Sequence, residues 1–347
     1  MAEIIPLGDT ARVPPDRLAD DALAKLQAAF ADELAAVEQH IATHMDSVTE
    51  IIPQITSHIV GAGGKRLRPL LTLSAARLLD YRGAHHITLA AAVEFMHTAT
   101  LLHDDVVDDS DMRRGQPTVR QLWGNPASVL VGDFLLGQAF RMMVSAENLS
   151  ALDILSKAAA IIAEGEMMQL TALNNTQMTE DSYMKIIEAK TAALFAAATE
   201  IGGVIAQADT TNIKALYAYG RNLGIAFQLV DDVLDYGGIG HKLGKNIGED
   251  FTEGKVTLPV ILAVHRGNKT QRDFWREAMS RPQNGENNEA QFEQALQLLK
   301  QNNALKDTII RAVHYGDRAK DAIGLFENSQ TRTQLIELAD FCTNRAY

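Results

Sequence analysis

Cysteine is almost absent from this 347-residue chain. The lone thiol, Cys342, excludes an internal disulfide and any disulfide-stapled scaffold, and it fits a reducing cytoplasm. Only 24 Gly and 9 Pro are present, which excludes a collagen-like chain. No run of 18 apolar residues occurs, so no transmembrane helix is expected. The opening MAEIIPLGDTARVPPDR lacks the basic start and apolar stretch of a signal peptide and is too acidic for a transit peptide. Its Pro6, Pro14 and Pro15 predict a loosely ordered arm over residues 1–20. Excess positive charge is missing too. At a net charge of −12 the chain is no general binder of nucleic acid, and an anionic lipid surface would repel it on average. An anionic substrate therefore requires a local basic cluster or bound metal ions. Strand-like alternation is scarce, and no repeat, low-complexity tract or interdomain linker is found, so residues 21–347 read as one domain.

What is present is helix. Hydrophobic residues make up 46% and charged residues 22%, the balance of a folded domain with a large core. Apolar residues at Leu23, Leu26, Phe30, Leu34, Val37, Ile41, Met45 and Val48 step by threes and fours, a helix stripe that Pro53 should kink or end. Ala- and Leu-rich helical segments follow at 67–80, 86–108, 126–146, 149–173, 181–207, 212–236 and 258–266. From Leu89 to Leu102 the only charge is Glu94, so that helix belongs at the centre of a bundle. The polar stretch 281–290 reads as a surface loop. The expected fold is all-α, long helices packed as a bundle.

Two aspartate boxes carry the chemistry. Asp104-Asp105-Val106-Val107-Asp108 and Asp231-Asp232-Val233-Leu234-Asp235 each close a long apolar helix. With about 100° per residue, positions i and i+4 share a face with i+1 beside them, so each box should gather carboxylates at one spot. Unpaired, they would repel one another and oppose the helix dipole; a hard divalent cation, Mg²⁺ before Zn²⁺, removes that cost. Shuffling a chain with 25 aspartates produces about 0.13 such boxes, and two on the order of once in a hundred, so the pair is significant. Cations flank both: Gly63-Gly64-Lys65-Arg66-Leu67-Arg68-Pro69, then Arg113-Arg114-Gly115, and Lys245 and Lys255 with Asp250 after the second box. A glycine turn with cations at a helix start is a phosphate site, and metal bridges with arginine clamps suit a diphosphate.

These residues resemble the all-trans polyprenyl diphosphate synthases. The resemblance runs from about Leu23 to the end through GGKRLRP (63–69), EFMHTATLLHDDVVDDSDMRRG (94–115), VGDFLLGQAF (131–140), AEGEMMQL (163–170), EAKTAALF (188–195), FQLVDDVLDY (227–236) and LGKNIGEDFTEGKVTLP (243–259). It is strongest to the long-chain bacterial enzymes of ubiquinone side-chain synthesis, decaprenyl first, octaprenyl and solanesyl close. The resemblance implies an isoprenoid-synthase bundle around a central active-site cavity, and Mg²⁺ ions, three with substrate bound, that join the boxes to an allylic diphosphate. It implies Asp104, Asp105, Asp108, Asp231 and Asp232 as ligands, with Asp235 supporting. Lys65, Arg68, His97 and Arg114 match the isopentenyl diphosphate site, and Arg113, Lys190, Lys245 and Lys255 the allylic diphosphate site. Thr191 and Gln228 match residues at the reacting centre, and Arg345 a group closing over the acceptor. His103 has no such match and reads as structural. Homodimers are common in the family, and an apolar product suggests transient membrane contact on release.

Product length should depend on the apolar wall below the first box. Ala99 and Thr100, one turn before Asp104, are small, whereas shorter-chain relatives place a bulky aromatic nearby. The floor candidates are Phe134, Phe140, Met142 and Met143 on the neighbouring helix, against ordinary core packing as the plain alternative. A class I terpene cyclase would usually lack the second box and GGKRLRP, and a non-catalytic partner subunit tends to lose a box or its cations; both features are intact here.

Overall fold

The computed structural model describes residues 15–61, 63–237, 248–280 and 288–345. Its helices are α1 (Pro15–Ala29), α2 (Ala31–His44), α3 (Ile51–Gly61), α4 (Leu67–Leu78), α5 (His85–Val107), α6 (Val119–Trp123), α7 (Asn125–Ser145), α8 (Leu149–Ala172), α9 (Glu180–Ile187), α10 (Ala193–Ile205), α11 (Thr210–Asp235), α12 (Glu249–Thr252), α13 (Leu258–Arg266), α14 (Lys269–Ser280), α15 (Asn288–Gln301), α16 (Ala304–Ala322) and α17 (Gln330–Asn344). A turn of π-helix, Glu188–Ala192, joins α9 to α10. Strand is limited, among the described residues, to the two-residue hairpin β1 (Met112–Arg113) and β2 (Gln116–Pro117). The fold is all-α, as expected.

The apolar stripe of the first helices divides where the sequence reading kept it whole. Leu23, Leu26, Phe30, Val37, Ile41 and Met45 are buried, but α1 stops at Ala29 and α2 restarts at Ala31, while Val48 is fully exposed in a bend. Pro53 ends nothing. It lies in the first turn of α3, where a missing N–H costs no intrahelical bond. α1 already begins at Pro15, inside the stretch read as an arm; residues 1–14 lie outside the described residues, as does 281–287 of the polar stretch.

Two apolar clusters fill the bundle. The larger takes side chains from α4, α5, α7, α8 and α10, where Leu89–Val93 and Phe195 are wholly buried. The smaller gathers α13–α16 around Trp275 and Phe251. α11 runs through both: Leu216, Tyr219 and Leu223 pack in the first, Leu229, Val230 and Val233 in the second. A central helix shared by two clusters resists rotation about its own axis, and this fixes the direction of the carboxylates at its C-terminal end.

Among the described residues one helix, α7, is long and apolar enough by composition to cross a membrane, contrary to the expectation from the absence of an 18-residue apolar run. It packs along α5 with Val131, Leu135, Ala139, Met142 and Met143 buried. Its other face exposes Val129, Leu130, Phe140 and Val144, and α8 exposes Leu149 and Ile161.

Candidate active site

α5 delivers the first box. Asp104 and Asp108, one turn apart, each meet a lysine of the cavity lining: Asp104 Oδ2 lies 3.9 Å from Lys190 Nζ, and Asp108 Oδ2 accepts a 2.8 Å hydrogen bond from Lys255 Nζ. Asp105 does not join them. Turned about 100° round the helix, it is 3% exposed and accepts from Arg113 Nε at 2.7 Å. In this state Arg113 is committed to Asp105 and not to the allylic side. The box is therefore two carboxylates paired with lysines and a third that anchors an arginine.

The second box divides in the same way. Asp232, 2% exposed, accepts from Tyr183 Oη and, at 2.9 Å, from Gln228 Nε2; Thr191 Oγ1 donates to Gln228 Oε1 at 2.8 Å. Asp231 is partly open and lies 3.2 Å from Arg345 Nη1, whose guanidinium stacks 4.1 Å from the Phe227 ring. Asp235 accepts from the backbone N–H groups of Glu249 and Asp250 at 3.2 and 3.1 Å, so it fixes the start of α12. That turn carries Asp250 and leads to Lys255, which also pairs with Glu253 at 2.6 Å. Lys245 lies outside the described residues.

The π-turn supplies Lys190 and Thr191 together. Both residues of this wider turn line the same cavity. Two glycines permit it. A Cβ on Gly165 of α8 would lie 2.6 Å from Lys190 N, and one on Gly224 of α11 would lie 2.7 Å from Ala192 Cα. Lys190 Nζ then donates to Glu166 Oε2 at 2.7 Å and Gln169 Oε1 at 2.6 Å. A cavity of about 120 Å³ results, lined among others by Gln169, Tyr183, Lys190, Gln228, Asp232 and Asp250. Sequence reasoning had assigned no role to Glu166, Gln169, Tyr183 or Asp250. Glu166 and Gln169, three apart in AEGEMMQL, share a helix face and could have been found; Tyr183 lies in no quoted block and gave no signal.

A second, cation-lined region lies beside the first. The Gly63–Arg66 turn enters α4 with Arg66 in the left-handed region at φ 49°. Arg68 stacks 4.6 Å from the Phe195 ring, its Nε buried without a partner, and burial lowers its pKa to about 10. Arg114 donates to Gly63 O, and Lys65 Nζ lies 5.0 Å from the Phe341 ring. Desolvation, then the charges of Arg68 and Arg114, hold the His97 imidazole neutral well below its usual range, so it can offer one donor and one acceptor. His103 instead lies 3.3 Å from Val129 O and 3.4 Å from Asp133, bridging α5 to α7 as a structural residue.

Of the chain-length candidates, Ala99 is buried, and the Thr100 hydroxyl donates to His97 O at 2.7 Å. Met142 and Met143 are wholly buried in the core and Phe134 partly so. Phe140 lies elsewhere: it is 37% exposed on the outer face of α7, because its register matches Val129 and Val144 rather than Met142.

Burial and like charge dominate the electrostatics. Desolvation, then Asp250, pushes the Asp232 carboxyl up to about 8, and the same causes push Asp235 to about 8. Asp104, Glu166 and Asp250 are raised by burial against the pull of their lysines. Lys255 is raised by Asp108, Asp250 and Glu253, which overcome its desolvation. Among the described residues no three acidic or imidazole groups converge on one point. An all-oxygen donor set of one or two carboxylates per ion suits Mg²⁺, which keeps water and takes its remaining ligands from phosphate. It does not suit a closed structural cage.

Two predictions follow from this geometry. Gly165→Ala forces the π-turn away from α8 and should lower kcat by about tenfold to a hundredfold and the thermal midpoint by several degrees, as paired kinetics and calorimetry would show. The second concerns pH. Unfolded, Asp232 ionises near its usual value of about 3.9; folded, it keeps its proton to about 8. Between those values the native state binds the extra proton, so the stability of metal-free protein falls as pH rises and levels off above the window. Calorimetry in chelator should show the midpoint dropping from about pH 5.5 to 8.5; Asp232→Asn should lessen that drop and Asp232→Asn combined with Asp235→Asn flatten it.

Comparisons with known proteins identify the family. The family model described as polyprenyl synthetase matches residues 49–299. The octaprenyl diphosphate synthase of Escherichia coli (strain K12) is 43% identical over 323 residues, covering 93% of this chain and 99% of that one. A crystal structure of a decaprenyl diphosphate synthase from Rhodobacter capsulatus superposes with a TM-score of 0.88 at 46% identity, covering 96% of this chain and 100% of that one. A polyprenyl synthase from Caulobacter crescentus CB15, complexed with calcium and isoprenyl diphosphate, superposes at 0.89 with 47% identity, covering 94% and 98%. With a cluster of carboxylates at the end of each of α5 and α11, the chain belongs to the polyprenyl synthetase family, as a prenyltransferase that elongates all-trans polyprenyl diphosphates.

Proposed function

We propose that this enzyme extends an allylic primer such as farnesyl diphosphate with isopentenyl diphosphate to a decaprenyl chain for the ubiquinone side chain, with octaprenyl and solanesyl products as the alternatives. One observation carries the reading: two anion sites of different chemistry adjoin. One offers Asp104, Asp108, Asp231 and Asp232 with Lys190 and Lys255, which requires metal to accept a diphosphate; the other offers Lys65, Arg68, His97 and Arg114, which does not. The first suits the substrate whose diphosphate must leave, the second the substrate whose diphosphate must stay.

Bound at the first site, Mg²⁺ ions, three with substrate present, would neutralise the leaving diphosphate. Lys190 and Lys255 hold its oxygens, and Arg113 joins them on release from Asp105. As the allylic C–O bond breaks, the double bond of isopentenyl diphosphate, fixed by Lys65, Arg68, His97 and Arg114, supplies the electron pair for the new C–C bond. Thr191 and Gln228 line the reacting centre and exclude water. A proton leaves to the released diphosphate, and the product is again an allylic diphosphate, five carbons longer. The chain's residues act by positioning and by preorganised charge, not as nucleophiles. Arg345 leaves Asp231 to close over the acceptor.

Two partners complete the reading. The exposed side chains Val129, Leu130 and Val144 share one face of α7, which we assign to a homodimer. The apolar product implies transient membrane contact on release, and the buried free thiol of Cys342 suits a cytoplasmic enzyme. Light scattering should give a dimer mass for the wild-type chain and a monomer mass for Leu130→Arg combined with Val144→Arg.

The product test uses purified protein with Mg²⁺, labelled isopentenyl diphosphate and farnesyl diphosphate, read by mass spectrometry. A decaprenyl product is expected, and Ala99→Phe should shorten it by several five-carbon units by blocking the wall below Asp104. No elongation by folded, metal-supplied protein would contradict the assignment.

A further inference from the structure

Glu94 is a charge that the reaction as described leaves unused. It lies mid-way along α5, 7% exposed, in a stretch otherwise free of charge from Leu89 to Leu102. A carboxylate buried in a core helix is costly unless paired. Its partner is Arg66, whose Nη1 donates to Glu94 Oε1 at 2.8 Å. Arg66 also reaches Glu38, at 4.0 Å, but the Glu38 side chain is 61% exposed and screened.

The position of Arg66 gives this pair its meaning. It is the last residue of the Gly63–Arg66 turn, held in the left-handed region, and α4 begins at the next residue. Lys65 precedes it and Arg68 follows by two. The guanidiniums of Arg66 and Arg114 both close on Gly64, where a Cβ would meet Arg66 Nη1 at 3.3 Å and Arg114 Nη1 at 3.1 Å, and Arg114 donates to Gly63 O. One turn beyond Glu94 on α5 stands His97. The carboxylate thus sits beneath a cluster of Lys65, Arg66, Arg68 and Arg114 and lends its charge to Arg68 and Arg114 as well.

A carboxylate beside an anion site weakens the attraction for a diphosphate, so it requires a reason. Several cations gathered without a counter-ion repel one another and turn outward into water before any ligand arrives. One buried anion hydrogen-bonded to Arg66 alone keeps them together and leaves Arg68 Nε without a protein partner. We infer that Glu94 is a positioning residue for the acceptor diphosphate, acting through Arg66 and the glycine turn on Lys65, Arg68 and Arg114. The inference rests on the reading that these cations hold isopentenyl diphosphate.

The test measures KM for isopentenyl diphosphate and for farnesyl diphosphate separately, with thermal midpoints, in Glu94→Gln, Glu94→Asp and Arg68→Ala. Glu94→Gln keeps size and polarity but removes the charge. It should raise KM for isopentenyl diphosphate roughly tenfold or more and leave that for farnesyl diphosphate within about twofold, while Glu94→Asp recovers part of the loss. Should Glu94→Gln fail to fold with Arg66 unpaired, Glu94→Gln combined with Arg66→Gln removes both charges and must show the same selective rise. An unchanged KM for isopentenyl diphosphate in a folded variant, or equal rises for both substrates, overturns the inference. Arg68→Ala separates the two levels: if it raises KM for isopentenyl diphosphate and the Glu94 variants do not, only the role of Glu94 falls. If Arg68→Ala leaves that KM unchanged, the acceptor-site reading falls and the inference with it.

Discussion

Carboxylates crowded into a partly dry cavity must be met by positive charge, and most of this structure can be understood from that constraint. Asp104, Asp108, Glu166, Asp232 and Asp250 all lie near one another out of bulk water, and burial raises the pKa of Asp104, Glu166, Asp232 and Asp250. Three cations from remote parts of the chain answer them. Lys190 reaches Asp104 and Glu166, Lys255 reaches Asp108 from 147 residues away, and Arg345 reaches Asp231 from the C-terminal helix. These pairs balance the buried carboxylates within the protein itself, and on the proposed reading they are the groups that a diphosphate with its ions would rearrange. The neighbouring acceptor region poses the inverse problem, cations needing an anion, and Glu94 answers it there.

Backbone devices set the geometry that the charges require. Helix ends present the boxes, and α11 is locked by packing in both apolar clusters. The π-turn brings Lys190 and Thr191 to one side, and it can do so because Gly165 and Gly224 let α8 and α11 approach within contact distance of its backbone. Asp235, the last residue of the second box, ties the end of α11 to the start of α12 and so fixes the distance from Asp232 to Asp250 and Lys255. Losing any one of these would leave every catalytic side chain present and wrongly placed.

Much of this was legible in the sequence. Helix periodicity located α4, α5, α7, α8, α11 and α13 within a residue or two, because long amphipathic or fully apolar stretches have few alternatives. The facing of Asp104 and Asp108 followed from i, i+4 geometry. What could not be read depended on partners distant in sequence. Asp105 turns away because Arg113 returns on a two-residue hairpin. The break at Phe30 and the π-turn at Glu188–Ala192 obey tertiary packing over local pattern, since the apolar spacing through both is continuous. Phe140 reads as a tunnel floor by composition and lies outside by register. Glu94 was visible as an isolated charge, but its purpose needed the Arg66 contact.

The central claim is that two boxes, 127 residues apart in sequence, form one metal–diphosphate site. Calorimetric binding of farnesyl diphosphate with Mg²⁺, without isopentenyl diphosphate and hence without turnover, tests it in Asp104→Asn, Asp231→Asn and the double variant. Each single change should weaken binding by about tenfold or more, and the double should be little weaker than the worse single, because either loss disables the shared site. Losses that multiply would mean two independent sites and would contradict the account.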